Sequence, residues 1–244
     1  MNPNLNQENQ EHRKHSSFGV GVKSFLLTNQ TTGQTAAKNI FWLSTSNLGG
    51  RLVKAIIIVY SARILGAAEW GLFSYAVSLA AFVTIFTDFG VGPILTKETA
   101  RASDAETRSE IVSTAFFVKL SLLLVAVLAV IFIVPRFSTL KEANFLFPIV
   151  ALIITFDTLQ GFGFSLTRAL ERMELEAAFL LLTNISIVVF GFLVLRIHPE
   201  VKYFSYAYAA GIFIGMSVTL FSLRKNICNM QKIFMINMER KQLY

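Results

Sequence analysis

Charge is scarce in this chain. Only 15% of its 244 residues are Asp, Glu, Lys or Arg, against about 25% in a typical soluble domain. There is one cysteine, Cys228, which excludes an intramolecular disulfide framework and a cysteine-rich metal site. The three histidines, His12, His15 and His198, lie outside the apolar segments, and no HExxH pairing, Walker loop or GxSxG turn occurs. No metal and no cofactor is therefore expected. Long polar connections are missing too: the longest internal one, Pro93 to Glu110, holds 18 residues. A membrane enzyme would need an aqueous loop with paired carboxylates. The connections are too short and the outer ones too poor in acids, so the chain reads as a non-enzyme.

Apolar residues fill the space that charge leaves. They make up 54% of the chain, 23 of them Phe, and the mean hydropathy is +0.56. They are blocked into six runs, near residues 40–62, 70–92, 111–134, 144–166, 177–195 and 203–223. A bilayer crossing takes about 20 apolar residues in a helix. The runs are too long for strands and do not alternate, so helices are expected and not a barrel. The fold class expected is all-α, a polytopic membrane protein of about six transmembrane helices. Residues 1–37 read as a polar, disordered cytoplasmic tail, 38–225 as the bundle and 226–244 as a basic cytoplasmic tail.

The net charge of +7 comes from cations spread over connections and tails, with no basic stripe and no stacking aromatics, so nucleic acid is not an expected partner. Fourteen Lys and Arg fall in the tails and in the second and fourth connections, and five in the other three. By the positive-inside rule both termini lie in the cytoplasm of a plasma-membrane protein.

Two cations sit inside the first apolar run. Arg51 and Lys54 share a helical face with Ser44 and Asn47, opposite Phe41, Leu48, Leu52, Ile56 and Val59. A cation at the bilayer centre costs at least about 2.5–3.5 kcal/mol. Either this stripe lines a wet cavity that meets an anion, or the cations pair with buried carboxylates as structural glue. Asp157, mid-depth in the fourth run, either neutralises one of them or takes up a coupling ion. Gln160 and Gly161 share its face. Asp88 either caps the turn from Gly90 to Pro93 or binds a cation. Lys119 either snorkels to the interface or adds a third cation at the cytoplasmic mouth. Gly211 and Gly215 form a GxxxG, whose simple reading is close helix packing.

The stretch VYSARILGAAEWGLFSYAVSLAAFVTIFTDFGVGPILTKETAR, 59–101, carries Arg63-Ile64-Leu65-Gly66, Glu69-Trp70-Gly71-Leu72-Phe73, Asp88-Phe89-Gly90 and a basic loop with Lys97 and Arg101. It resembles the N-terminal signature of polysaccharide-biosynthesis membrane proteins. These are O-antigen-type flippases of the multidrug, oligosaccharidyl-lipid and polysaccharide exporter superfamily. TRALERMELEAAFLLLTNI, 167–185, resembles their fourth-to-fifth helix connection.

The resemblance implies two pseudo-symmetric bundles around a cavity, alternating access, and a polyprenyl-diphosphate-linked glycan as substrate for cell-surface or lipopolysaccharide assembly. It makes Arg51, Lys54, Asn47 and Lys119 the candidate substrate contacts, and Asp157 and Asp88 the candidates for coupling or ion pairing. Six spans correspond to the first bundle alone. Membrane lipids, a second transporter half and polysaccharide assembly proteins are the further partners implied. A small-molecule exporter of the same superfamily, or a non-transporting remnant or assembly partner, stays as the alternative.

Overall fold

A computed structural model describes residues 32–88 and 90–241, with side chains at 44–45, 47–85, 87 and 90–224. The chain is helical, with no strand among the described residues. Helix α1, Thr32–Asp88, holds 57 residues. Straight, it would run about 85 Å at 1.5 Å per residue, far more than a hydrocarbon core of about 30 Å. Gly66 breaks it: at φ 76° and ψ 173° its backbone is non-helical, in a region that glycine tolerates. The arms on either side of Gly66 carry the first two expected spans.

Gly90, also at positive φ, opens α2, Val91–Arg101. Helix α3, Ala105–Leu128, begins on Asp104, whose carboxylate accepts from the Thr107 amide at 2.7 Å. It runs through a π turn, Ala129–Ile133, into α4, Val134–Phe137. The widened turn ends two residues before Pro135, which has no amide hydrogen to return to the preceding turn. A 3-10 turn, Lys141–Leu146, leads to α5, Phe147–Ala169, then α6, Met173–Ile197, and α7, Val201–Lys241.

Among the described residues, four stretches are long and apolar enough to cross a membrane: Ala105–Phe137, Lys141–Ala169, Met173–Ile197 and Val201–Arg224. They coincide with the third to sixth expected spans. The chain is an all-helical polytopic membrane protein. The sixth span ends at Arg224, as expected, and the α7 backbone continues past it to Lys241, with no Gly or Pro to interrupt it after Gly215. The polar tail expected over 1–37 lies outside the described residues through 31; from 32 the chain is helical.

Helix α6 sits between α1 and α7, and α5 packs on the other side of α7. Ile57, Phe73, Phe147, Ile187 and Phe204 lie in the shared core. Phe73 meets Phe204 edge-on at 5.1 Å, with Trp70 5.6 Å from Phe73. Leu52, Phe82, Val125 and Phe132 are more than 60% exposed on the outside, as suits a surface solvated by lipid.

The GxxxG residues do the close packing expected of them. A Cβ on Gly211 would lie 2.7 Å from the Ile187 backbone nitrogen, and one on Gly215 would collide with the Thr183 hydroxyl. The sequence around Gly66 also has a folding role. The Glu69 carboxylate accepts from the Val201 amide at 2.8 Å, capping the start of α7 and tying the outer turn to it.

Candidate functional site

Four helices wall a cavity of about 230 Å³ within the bundle. The first arm of α1 supplies Lys54, α5 supplies Asp157 and Gln160, α6 supplies Thr183 and Asn184, and α7 supplies Tyr208. The Lys54 ammonium lies 5.4 Å from the Tyr208 ring centroid, within cation–π range. It also interacts with the Tyr208 phenol and, electrostatically, with Asp157. Gln160, 2% exposed, donates to the Thr183 hydroxyl at 2.7 Å, which donates in turn to the Phe179 carbonyl at 2.8 Å. The half-buried Lys54, the exposed Asp157 and the buried Gln160, Asn184 and Tyr208 thus line one cavity in an otherwise apolar bundle.

Glycines make this convergence possible. A Cβ on Gly50 would fall 2.7 Å from the Asn184 side-chain nitrogen, and one on Gly215 would come 2.8 Å from the Gln160 amide. The two residues let α1 and α7 close on α6 without displacing the polar side chains.

The stripe expected along the first span is split. Gly50 and Ile57 are buried and Lys54 is half-buried beside them, while Ser44, Asn47 and Arg51 are exposed. The spacing of 50, 54 and 57 is the inward face of the helix, and 44, 47 and 51 lie on its flank. Arg51 and Asn47 do not line the Lys54 cavity. The expected apolar back, Leu48, Leu52, Ile56 and Val59, is exposed at the perimeter.

Lys119 is elsewhere, and it does not snorkel. It is 5% exposed and donates to the Thr87 carbonyl at 3.3 Å. The carbonyls at the end of α1 carry partial negative charge, which holds the ammonium inside the bundle. Lys119 lines a second cavity, of about 760 Å³, together with Arg168. Asp88 closes α1, and its side chain lies outside the described residues.

Arg168 belongs to an ion pair that the sequence did not single out. Its Nε donates to Glu176 Oε2 at 2.8 Å, and its Nη2 to Oε1, a two-pronged bond across the α5–α6 turn. Glu176, Thr183, Asn184 and Tyr208 were all missed as site residues. Their signal was a polar group within an otherwise apolar helical run. Among the described residues, no three His, Cys, Asp or Glu lie close enough to hold a metal ion.

Apolar helices of membrane length around a polar cavity define a polytopic membrane protein. The chain belongs to the polysaccharide biosynthesis protein family, whose profile matches residues 36–243. No curated protein and no solved structure matches it. Family membership and the apolar helices together fit a membrane transporter-like role in polysaccharide biosynthesis.

Proposed function

We propose that this chain forms one bundle of a flippase that moves a polyprenyl-diphosphate-linked oligosaccharide across the plasma membrane by alternating access. The observation that carries the reading is the meeting of Lys54, Asp157 and Tyr208 in one cavity walled by α1, α5, α6 and α7. A diphosphate is the anion this arrangement suits. It offers several oxygens to an ammonium, which can exchange Asp157 for the cargo without losing a counter-charge. Arg51, one turn away on the exposed flank, meets the headgroup first, and Asn47 extends that flank.

Asp157 holds Lys54 when the cavity is empty and takes up a coupling proton when the cargo displaces it. The exposed face carrying Arg51 packs against a second bundle, supplied by another segment or chain. Both termini lie in the cytoplasm, as the distribution of cations favours. A cationic-drug exporter fits less well, because Lys54 occupies the cavity that a drug cation would enter.

Chemical protection tests this reading. The chain in lipid nanodiscs is treated with an amine-selective reagent, with and without a C55 polyprenyl-diphosphate oligosaccharide, and Lys54 modification is read by mass spectrometry. At least fivefold protection of Lys54 is expected, and none from the polyprenyl alcohol. Equal modification in all samples would sink the assignment.

A further inference from the structure

The second cavity is not accounted for by that reading. It lies where α1 closes and α2 opens, and its volume of about 760 Å³ is within the about 300–1,000 Å³ common for ligand sites. We propose that it binds the phosphate headgroup of an anionic phospholipid, a resident lipid distinct from any cargo of the Lys54 cavity.

Three features of the lining point to a phosphate. Lys119 is a buried cation in the wall. Arg168 stands at the rim; Nε and Nη2 are engaged by Glu176, and its side chain remains 43% exposed. The start of α2, Val91 and Gly92, adds first-turn amides that an α-helix leaves without intrahelical acceptors. Lys119 and the first-turn amides of α2 on the wall favour a headgroup of net negative charge.

Two features point to a lipid over free phosphate. Ile85, Pro93, Phe162 and Phe164 supply apolar wall beside the cations, as a glycerol backbone and the first methylenes of an acyl chain require. Helix α2 also presents Ile94, 60% exposed, with Lys97 and Arg101 exposed on the same short helix. That combination suits a helix lying at the headgroup level of an anionic leaflet.

Glycine keeps the space open. A Cβ on Gly161, in the cavity wall, would meet nothing within 4 Å. A leucine there fills the cavity and leaves every charged group in place. The cavity-filling substitution Gly161→Leu is therefore the main test, with Lys119→Met as the charge test. Gly71→Leu, at another glycine with open space around it, is the control for adding a leucine.

Native mass spectrometry of the purified full chain measures binding of dioleoyl-phosphatidylglycerol, dioleoyl-phosphatidylcholine, a C55 polyprenyl diphosphate and inorganic phosphate. Phosphatidylglycerol is expected to bind at least tenfold tighter than phosphatidylcholine. Gly161→Leu and Lys119→Met should each remove that preference, and Gly71→Leu should keep it. Where Lys119→Met fails to fold, Gly161→Leu decides alone. A preference that survives Gly161→Leu overturns the proposal. So does polyprenyl diphosphate displacing phosphatidylglycerol from this site, or inorganic phosphate competing with it at equal concentration. None of these outcomes depends on transport, so the proposal stands or falls apart from the flippase reading.

Discussion

Replacing Gly215 with Ala should destabilise the bundle although alanine is the better helix former. The new methyl would collide with the Thr183 hydroxyl and approach the Gln160 amide to 2.8 Å. Forcing a methyl into a packed contact costs about 1–3 kcal/mol. The Gln160–Thr183 bond links α5 to α6, and interhelical bonds of this kind average about 0.6 kcal/mol in a membrane protein, up to about 1.7. Against this, Gly→Ala in a helix gains about 0.8–1.0 kcal/mol. Packing therefore wins, with a net loss of about 1–3 kcal/mol.

Gly161→Ala meets open space, so only the helix gain applies and stability should hold or rise. Gly211→Ala should cost more than Gly215→Ala. Its methyl meets the Ile187 backbone, which cannot rotate aside as a hydroxyl can. Unfolding titrated with SDS in mixed micelles, followed by far-UV circular dichroism, measures all three. Thr183→Ala combined with Gly215→Ala completes a double-mutant cycle and should recover part of the loss. Equal stabilities for the Gly215 and Gly161 variants would refute the packing argument.

Arg168→Ala strands the buried Glu176 carboxylate. Because Arg168 is itself partly exposed, the loss should fall between a surface and a buried pair, about 1–3 kcal/mol in the same titration. Arg168→Lys should rescue it only in part, since lysine cannot make the two-pronged bond. Glu69→Ala removes the acceptor for the Val201 amide and should cost about 0.5–2 kcal/mol, as for loss of a helix cap, with faster hydrogen exchange at Val201. Asp104 accepts from the Thr107 amide, which holds its carboxyl below the usual carboxylate value. A lowered value in the folded chain means that its stabilisation is present above the ordinary Asp range and lost as pH falls through the folded value. The protection factor at Thr107, corrected for the intrinsic exchange rate, should therefore fall in acid, and Asp104→Ala should remove that dependence.

The last four membrane-length helices were legible because apolar runs of that length allow little else. Their ends shifted outward by a few residues, since capping groups such as Asp104 continue a helix past its apolar stretch. The helical continuation of α7 past the span was less legible: polarity marks where a span ends, and helix formation does not require an apolar surface. The split of the Arg51–Lys54 stripe was not legible either. Three residues along a helix place two side chains on neighbouring faces, and only packing against Asn184 and Tyr208 decides which turns inward. The burial of Lys119, which decides between the two readings of its position, was not legible because an acceptor it uses, the Thr87 carbonyl, is a backbone group of a distant helix. Tyr208 and Asn184 look like ordinary span residues until the fold brings them to Lys54.

The measurement that bears most directly on the central claim is transbilayer movement of a fluorescent polyprenyl-diphosphate oligosaccharide in proteoliposomes. Wild type is compared with Lys54→Ala, with Arg51→Ala/Lys54→Ala and with Asp157→Asn, each at matched protein incorporation. The account predicts at least a tenfold slower rate for Lys54→Ala, no detectable movement for the double variant, and for Asp157→Asn a rate that no longer responds to a pH gradient. Movement at the wild-type rate in the double variant would contradict it.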